Sequence, residues 1–151
     1  MFKLNKKVKY ALIALKHMHD KKGDGVTSAK EICDHYQIPF DPTARALQLL
    51  AQEGIVQACQ GAHGGYKIKK DLNILSLKDL NSLIMGPVKI ANCLDDDVTQ
   101  CECVEHCIVI SPLLNLNEKI NDFMSKISIG SIIKNQYHPK EKEIRKKACY
   151  K

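Results

Sequence analysis

Apolar residues near the start of the chain recur three and four positions apart. Over residues 5–18, Val8, Ala11, Leu12, Leu15 and Met18 share one side of a 3.6-residue repeat, which predicts a helix with one apolar face. Gly23-Asp24-Gly25 ends it. Ser28-Ala29-Lys30-Glu31 has the form of a capping box, in which a hydroxyl and a carboxylate satisfy free N–H groups at the start of a short helix closing near His35. A third helix is marked by Asp41 as N-cap and Pro42 at the first helical position, where a missing N–H costs nothing. Leu47, Leu50 and Ala51 form its inner stripe, and Gly54 suits a left-handed C-terminal cap. Two short helices joined by a turn at residues 36–40 make a helix-turn-helix pattern.

The period then changes. Residues 55–59 read as a short apolar strand, residues 60–65 as a glycine-rich turn, and residues 66–69 alternate as a second strand. A hairpin directly after a helix-turn-helix is the order of a winged helix, in which one helix enters the major groove and the wing approaches the backbone or minor groove. The glycine-rich turn is not a phosphate loop, because it joins strand to strand and lacks a Gly-Lys-Ser/Thr ending. Ser76 caps a helix over residues 77–85, which Gly86-Pro87 breaks. A further helix is expected after Ser111-Pro112, running to about Ser128, with Leu113, Leu116, Ile120, Phe123, Met124 and Ile127 on one stripe. That stripe needs cover, either from the same helix of a second subunit or from the chain's own first helix. Residues 129–133 form a last short element.

The expected architecture is mainly α with a small β-hairpin wing: a winged helix-turn-helix plus a long dimerisation helix. Residues 1–86 form the winged region and residues 87–110 a cysteine-rich loop. Residues 111–136 hold the dimerisation helix and the short element after it, and residues 137–151 a basic, flexible tail.

Composition narrows the function. With 151 residues, 44% of them hydrophobic and 26% charged, the chain is of ordinary single-domain globular make-up. No segment approaches the ~20 apolar residues of a membrane span. Lys16, His17, His19 and Asp20 interrupt the first apolar stretch, which argues against a secretory signal and for a reducing, cytoplasmic setting. The net charge of +6 is uneven. Residues 1–75 carry 12 basic and 7 acidic side chains, residues 76–136 carry 5 and 8, and residues 137–151 carry 6 and 2. A basic first half favours a polyanionic partner, with nucleic acid ahead of a membrane surface.

Four of the seven cysteines, Cys93, Cys101, Cys103 and Cys107, fall within fifteen positions of a polar stretch. Cysteines placed by packing are spread through apolar elements, as Cys33 and Cys59 are. Thiolates gathered in a loop suit a soft metal or an iron–sulfur cluster. Zinc competes, although only Cys103-x₃-Cys107 resembles a zinc half-site. A redox-active dithiol is the other alternative, but no Cys-x-x-Cys occurs. A small electron carrier or thiol oxidoreductase would use such thiols too, but would have no use for the helix-turn-helix and wing.

Several blocks together resemble the Rrf2 family of bacterial winged-helix regulators, of the IscR, NsrR and RirA type. They are Lys3-Leu4 with Lys9-Tyr10-Ala11-Leu12, then Leu47-x-x-Leu50-x-x-x-Gly54-Ile55-Val56, the wing Gly61-x-x-Gly64-Gly65-Tyr66-x-Ile68, and Cys93-x₇-Cys101-x₅-Cys107 ahead of a long helix and Ile127-Ser128-Ile129. The resemblance implies a homodimer that binds double-stranded promoter DNA, no enzymatic activity, and an iron–sulfur cluster of [2Fe-2S] or [4Fe-4S] type whose state changes DNA binding. Carried over by position, Cys93, Cys101 and Cys107 are the cluster thiolates. The position of the family's ligating histidine is Ile110 here, and that of its alternative aspartate is Lys9. The fourth ligand is therefore assigned to Cys103, with His106 as substitute. For DNA, Thr43, Arg45 and Gln48 are expected on the face opposite Leu47 and Leu50, with Arg45 reading guanine. Gln60 and His63 are expected at the wing, and Lys3, Lys6 and Lys7 on phosphate.

Overall fold

Asn5 starts the first helix, its side chain accepting the Lys7 N–H at 2.9 Å. The computed structural model describes residues 3–21, 25–61, 64–94 and 106–134. In chain order these form α1 (Lys6–Asp20), α2 (Ala29–Tyr36), α3 (Phe40–Gln52), β1 (Val56–Cys59), β2 (Gly65–Ile68), α4 (Leu77–Met85), α5 (Ile110–Ser125) and α6 (Ile129–Lys134), with a 3-10 turn at Asn92–Leu94. The mainly helical fold with a two-stranded wing is the expected one. The tail 137–151 lies outside the described residues.

Val8, Ala11, Ala14 and Leu15 of α1 are fully buried, against Ile32 of α2 and Leu47 and Leu50 of α3. Leu12 and Met18 pack at the margin. Each fully buried leucine or isoleucine contributes about 1.5–3 kcal/mol relative to exposure, so this three-helix contact is the main source of stability.

The start of α2 is half of the expected capping box. Ser28 Oγ accepts the Glu31 N–H at 3.1 Å. The Glu31 carboxylate instead accepts from Lys21 Nζ at 2.7 Å and lies 3.3 Å from His17 Nε2. The hydrogen bond from Lys21 outweighs partial desolvation and, with that to His17, holds the Glu31 carboxyl below its usual value of 4.5. A carboxyl lowered by folding stabilises above its unfolded pKa, and that contribution disappears as pH falls through the lower folded value. Urea unfolding of Glu31→Gln should therefore show a shallower loss of stability below pH 4.5 than the parent, the expected difference being small at this exposed site.

The turn into α3 depends on Gln37, which adopts the left-handed conformation (φ 52°) while the Ile38 N–H donates to Cys33 O at 3.2 Å. The third helix begins earlier than expected. Pro39, extended at φ −61° and ψ 137°, is the residue before the helix, so Asp41 and Pro42 occupy its second and third positions. Pro42 is still harmless there, because the first four N–H groups of a helix have no internal partner.

The strands pair antiparallel with Val56 opposite Ile68 and Cys59 opposite Gly65. Thr27 adds a second edge: its N–H donates to Tyr66 O at 2.9 Å and its carbonyl accepts from Tyr66 N at 2.8 Å. The second strand is thus held between the first and the segment entering α2. No space remains beside Gly65, where a Cβ would come within 2.5 Å of Thr27 O and 2.9 Å of Ser28 N. Both are backbone atoms in the hydrogen-bonded bridge. Gly65→Ala is expected to destabilise the domain by about 1–3 kcal/mol, read as a lower urea midpoint with unchanged slope.

Ser76 and Asp79 make a complete capping box on α4: Ser76 Oγ accepts the Asp79 N–H at 3.1 Å and the Asp79 carboxylate accepts the Ser76 N–H at 3.2 Å. The long helix α5 starts at Ile110, ahead of Ser111-Pro112, and ends at Ser125, short of Ser128. It stops because the next residues pair with the winged core. Leu77 N–H donates to Ile127 O at 2.8 Å, Ile129 N–H to Leu75 O at 2.7 Å and Gly130 N–H to Leu72 O at 2.7 Å. The last helix then buries Ile129 and Ile133 in the same core, and Lys16 Nζ donates to Ile133 O at 3.0 Å at its C-terminal end. The element after the long helix is therefore packed into the winged core.

Candidate DNA interface and cysteine segment

One face of α3 is buried through Thr43, Ala46, Leu47 and Leu50, which leaves Asp41, Arg45, Gln48 and Gln52 exposed on the other. The expected outward position of Thr43 is incorrect. It is 0% exposed, and its hydroxyl donates to Pro39 O at 2.7 Å. The reason is periodic: Thr43 precedes Leu47 by four residues and Leu50 by seven, so it belongs to their stripe. Asp41 and Gln52, one helical repeat either side of Arg45 and Gln48, are the outward residues that the sequence reading missed, and the same periodicity would have found them.

Gln60 is exposed at the wing, next to Gly61 at φ 121°; Lys67 is exposed on the second strand and Lys69 just after it, at the base of the hairpin. His63 lies outside the described residues. Lys6 and Lys7 are exposed on the first turn of α1, whereas Lys3 borders a groove along the long helix. Arg45, Gln48 and Gln60 thus stand on the helix-turn-helix and wing, while Lys3 is placed beside a different surface.

That groove, of about 610 Å³, runs between α4 and α5 and is lined by Leu4, Met85, Val88, Leu113, Ile120 and Met124. Leu116 is exposed at its edge, and the outer face of the long helix carries Leu114 and Phe123, the last 66% exposed. Of the expected apolar stripe only Met124 is buried within the subunit. The rest of the stripe is left half-buried or exposed within the subunit.

The cysteine segment is described at its two ends. Cys93, in the 3-10 turn, and Cys107, three residues before α5, are both half-buried free thiols. Cys101 and Cys103 lie outside the described residues, and His106 is exposed beside Cys107. Among the described residues no three metal-ligating side chains come together. The donor chemistry nonetheless fits an iron–sulfur cluster: the two described thiols are unpaired and half-buried, and stand at either end of the stretch 93–107 that carries the other two. Cys33 stands apart, buried against Pro39 O, and Cys59 closes the first strand of the wing.

The model of the Rrf2 family, described as an iron-dependent transcriptional regulator, matches residues 4–135. A relative from Aquifex aeolicus, provisionally described as an HTH-type transcriptional regulator, is 28% identical over 130 residues, covering 83% of this chain and 88% of its own. The regulator IscR of Yersinia enterocolitica is 22% identical over 134 residues, with 89% and 80% covered. Among solved structures, CymR, the global cysteine regulator of B. subtilis, superposes with a TM-score of 0.67 at 19% identity, covering 91% of this chain and all of its own. IscR of T. potens gives 0.62 at 20% identity, with 88% and 87% covered. These structures share the winged fold. No described helix is long and apolar enough to cross a membrane. With the family match running from the first helix through the wing to the last helix, the chain belongs to the Rrf2 family of DNA-binding transcriptional regulators and is not an enzyme.

Proposed function

We propose that this protein is a cytoplasmic, homodimeric regulator whose affinity for promoter DNA is set by an iron–sulfur cluster held in residues 93–107. The observation that carries this reading is the concentration of four thiols in that stretch, with Cys93 and Cys107 free and accessible at its ends. Cys93, Cys101 and Cys107 would hold the cluster, with Cys103 as fourth ligand and His106 as its substitute. When bound, the cluster supplies a centre that responds to iron supply and to oxidants. The remaining work belongs to the chain itself. Arg45 and Gln48 face the major groove of DNA, Gln60 and His63 serve the wing, and Lys6 and Lys7 neutralise phosphate. The uncovered face of α5, with Leu116 and Phe123, packs against its copy in the second subunit, because an apolar strip of this extent is costly in water.

Native mass spectrometry of anaerobically isolated protein tests this by counting iron, sulfide and subunits together. A dimer with iron and sulfide in equal numbers on each chain is expected. A dimer carrying zinc, or a disulfide and no iron, would replace the reading by that of a winged-helix regulator with a zinc or thiol-redox site.

A further inference from the structure

We infer that Asn117 and Asn121 are positioning residues that fasten the segment leading to Cys93 onto α5, so that a change at the thiols moves the helix. This rests on the reading that the thiol site controls DNA affinity. Residues 87–91 belong to no helix or strand, and Val88, Lys89 and Ile90 are half-buried, so their backbone groups need partners. Two come from α5. Asn121 Nδ2 donates to Val88 O at 3.0 Å, and Asn117 Oδ1 accepts the Ile90 N–H at 3.2 Å. The Asn121 amide also donates to Asn117 O at 2.9 Å, which fixes its rotamer.

The spacing suits the two contacts. Two residues of extended chain advance ~6.6 Å and four residues of helix ~6 Å, so one helical turn matches the step from Val88 to Ile90. Asparagine is a weak helix former, so helix formation alone does not account for it at two half-buried positions one turn apart. Apolar packing does not set the segment's place either, because Val88 and Ile90 border the open groove of about 610 Å³. The amide contacts do.

Their position in the chain gives them a role. Ile90 is three residues before Cys93, and Cys107 is three before Ile110, the first residue of α5. Both ends of the thiol loop are thus attached to the same helix, one through the two asparagines and one through the chain. At its other end that helix continues into residues 127–130, which hydrogen-bond to Leu72 and Leu75, between the wing and α4, and to Leu77, the first residue of α4. A change at Cys93 and Cys107 therefore acts on α5, and through it on the winged core, by way of the asparagine contacts. Without them it dissipates in residues 87–92.

The test compares DNA affinity of the full chain, loaded anaerobically with iron and sulfide, with that of the same protein stripped of both, using a duplex the protein selects from a random pool. Coupling between sites typically spans about 5- to 150-fold, and the parent should fall in that range. Asn121→Asp, Asn121→Ala and Asn117→Ala should bring the ratio to about one, with iron and sulfide content and stripped-state affinity unchanged. Asn117→Asp should keep the parent ratio, because a carboxylate still accepts from the Ile90 N–H. Unchanged stripped-state binding also certifies the fold, and Asn121→Ala avoids the repulsion that a carboxylate at 121 introduces. Parent-like ratios in the Asn121 variants, loss of coupling in Asn117→Asp, or loss of iron and sulfide from Asn121→Ala would each overturn the inference. A parent ratio of one would overturn the thiol-control reading as well.

Discussion

Cys107→Ala, reconstituted anaerobically with iron and sulfide, is expected to show none of the sulfur-to-iron charge-transfer absorption of the parent. Its DNA affinity should stay at the stripped value whatever iron is offered. The same result is expected for Cys93→Ala. These two thiols are the described ends of the loop, half-buried and unpaired, and an iron–sulfur centre lacking one terminal thiolate loses a bond that no neighbouring apolar side chain can replace. Cys103→Ala separates the two candidates for the fourth ligand: loss of absorption keeps Cys103, whereas a full spectrum transfers the role to His106 or to another group. Cys33 lies buried in the core contact between α2 and α3, so Cys33→Ala should lower stability and leave the spectrum intact. If Cys33→Ala instead lost the spectrum, the assignment of the site to residues 93–107 would be wrong.

The second large effect is expected at Arg45. It is the one arginine of the exposed stripe of α3, and a guanidinium that pairs two-fold with guanine discriminates by about 1–3 kcal/mol, roughly tenfold to more than a hundredfold in affinity. Arg45→Ala should show that loss on the selected duplex and a matching loss of preference at one base position. Lys6→Ala and Lys7→Ala should act differently, weakening all duplexes alike and reducing the slope of log K against log salt by about 0.9 for each phosphate contact removed. Thr43→Val provides the contrast. Its hydroxyl is buried on Pro39 O, so the change should cost about 0.5–1.5 kcal/mol of stability and leave base preference unaltered. Fluorescence anisotropy at several salt concentrations distinguishes all three patterns.

The comparison of Thr43 with Arg45 shows where a sequence reading succeeds and where it stops. Local signals were legible. Ser76 forms the anticipated cap, and the two strands pair within one residue of their expected bounds. Thr43 is expected on the face opposite Leu47 and Leu50, yet its spacing of four and seven residues from them puts it on their buried side. Glu31 has the spacing of a capping box, yet Lys21 and His17, brought close by the packing of α1 on α2, compete for its carboxylate. The early end of α5 was hidden for a similar reason. Residues 127–130 pair with backbone fifty or more positions earlier, and no local pattern encodes such a partner. The same holds for Asn117 and Asn121, whose partners at Val88 and Ile90 are set by tertiary placement. The thiol site was legible as a cluster of donors, since spacing reveals which residues can converge but not which four do.

The central claim is that the state of the thiol loop sets DNA affinity, and one titration tests it. The same preparation of protein is measured on its selected duplex under anaerobic conditions, first with iron and sulfide bound at a stoichiometry checked by chemical assay, then after both have been removed by a chelator. The account predicts a change of dissociation constant of about 5- to 150-fold between the two states, reversed when iron and sulfide are restored. Identical dissociation constants for fully loaded and fully stripped protein would contradict it.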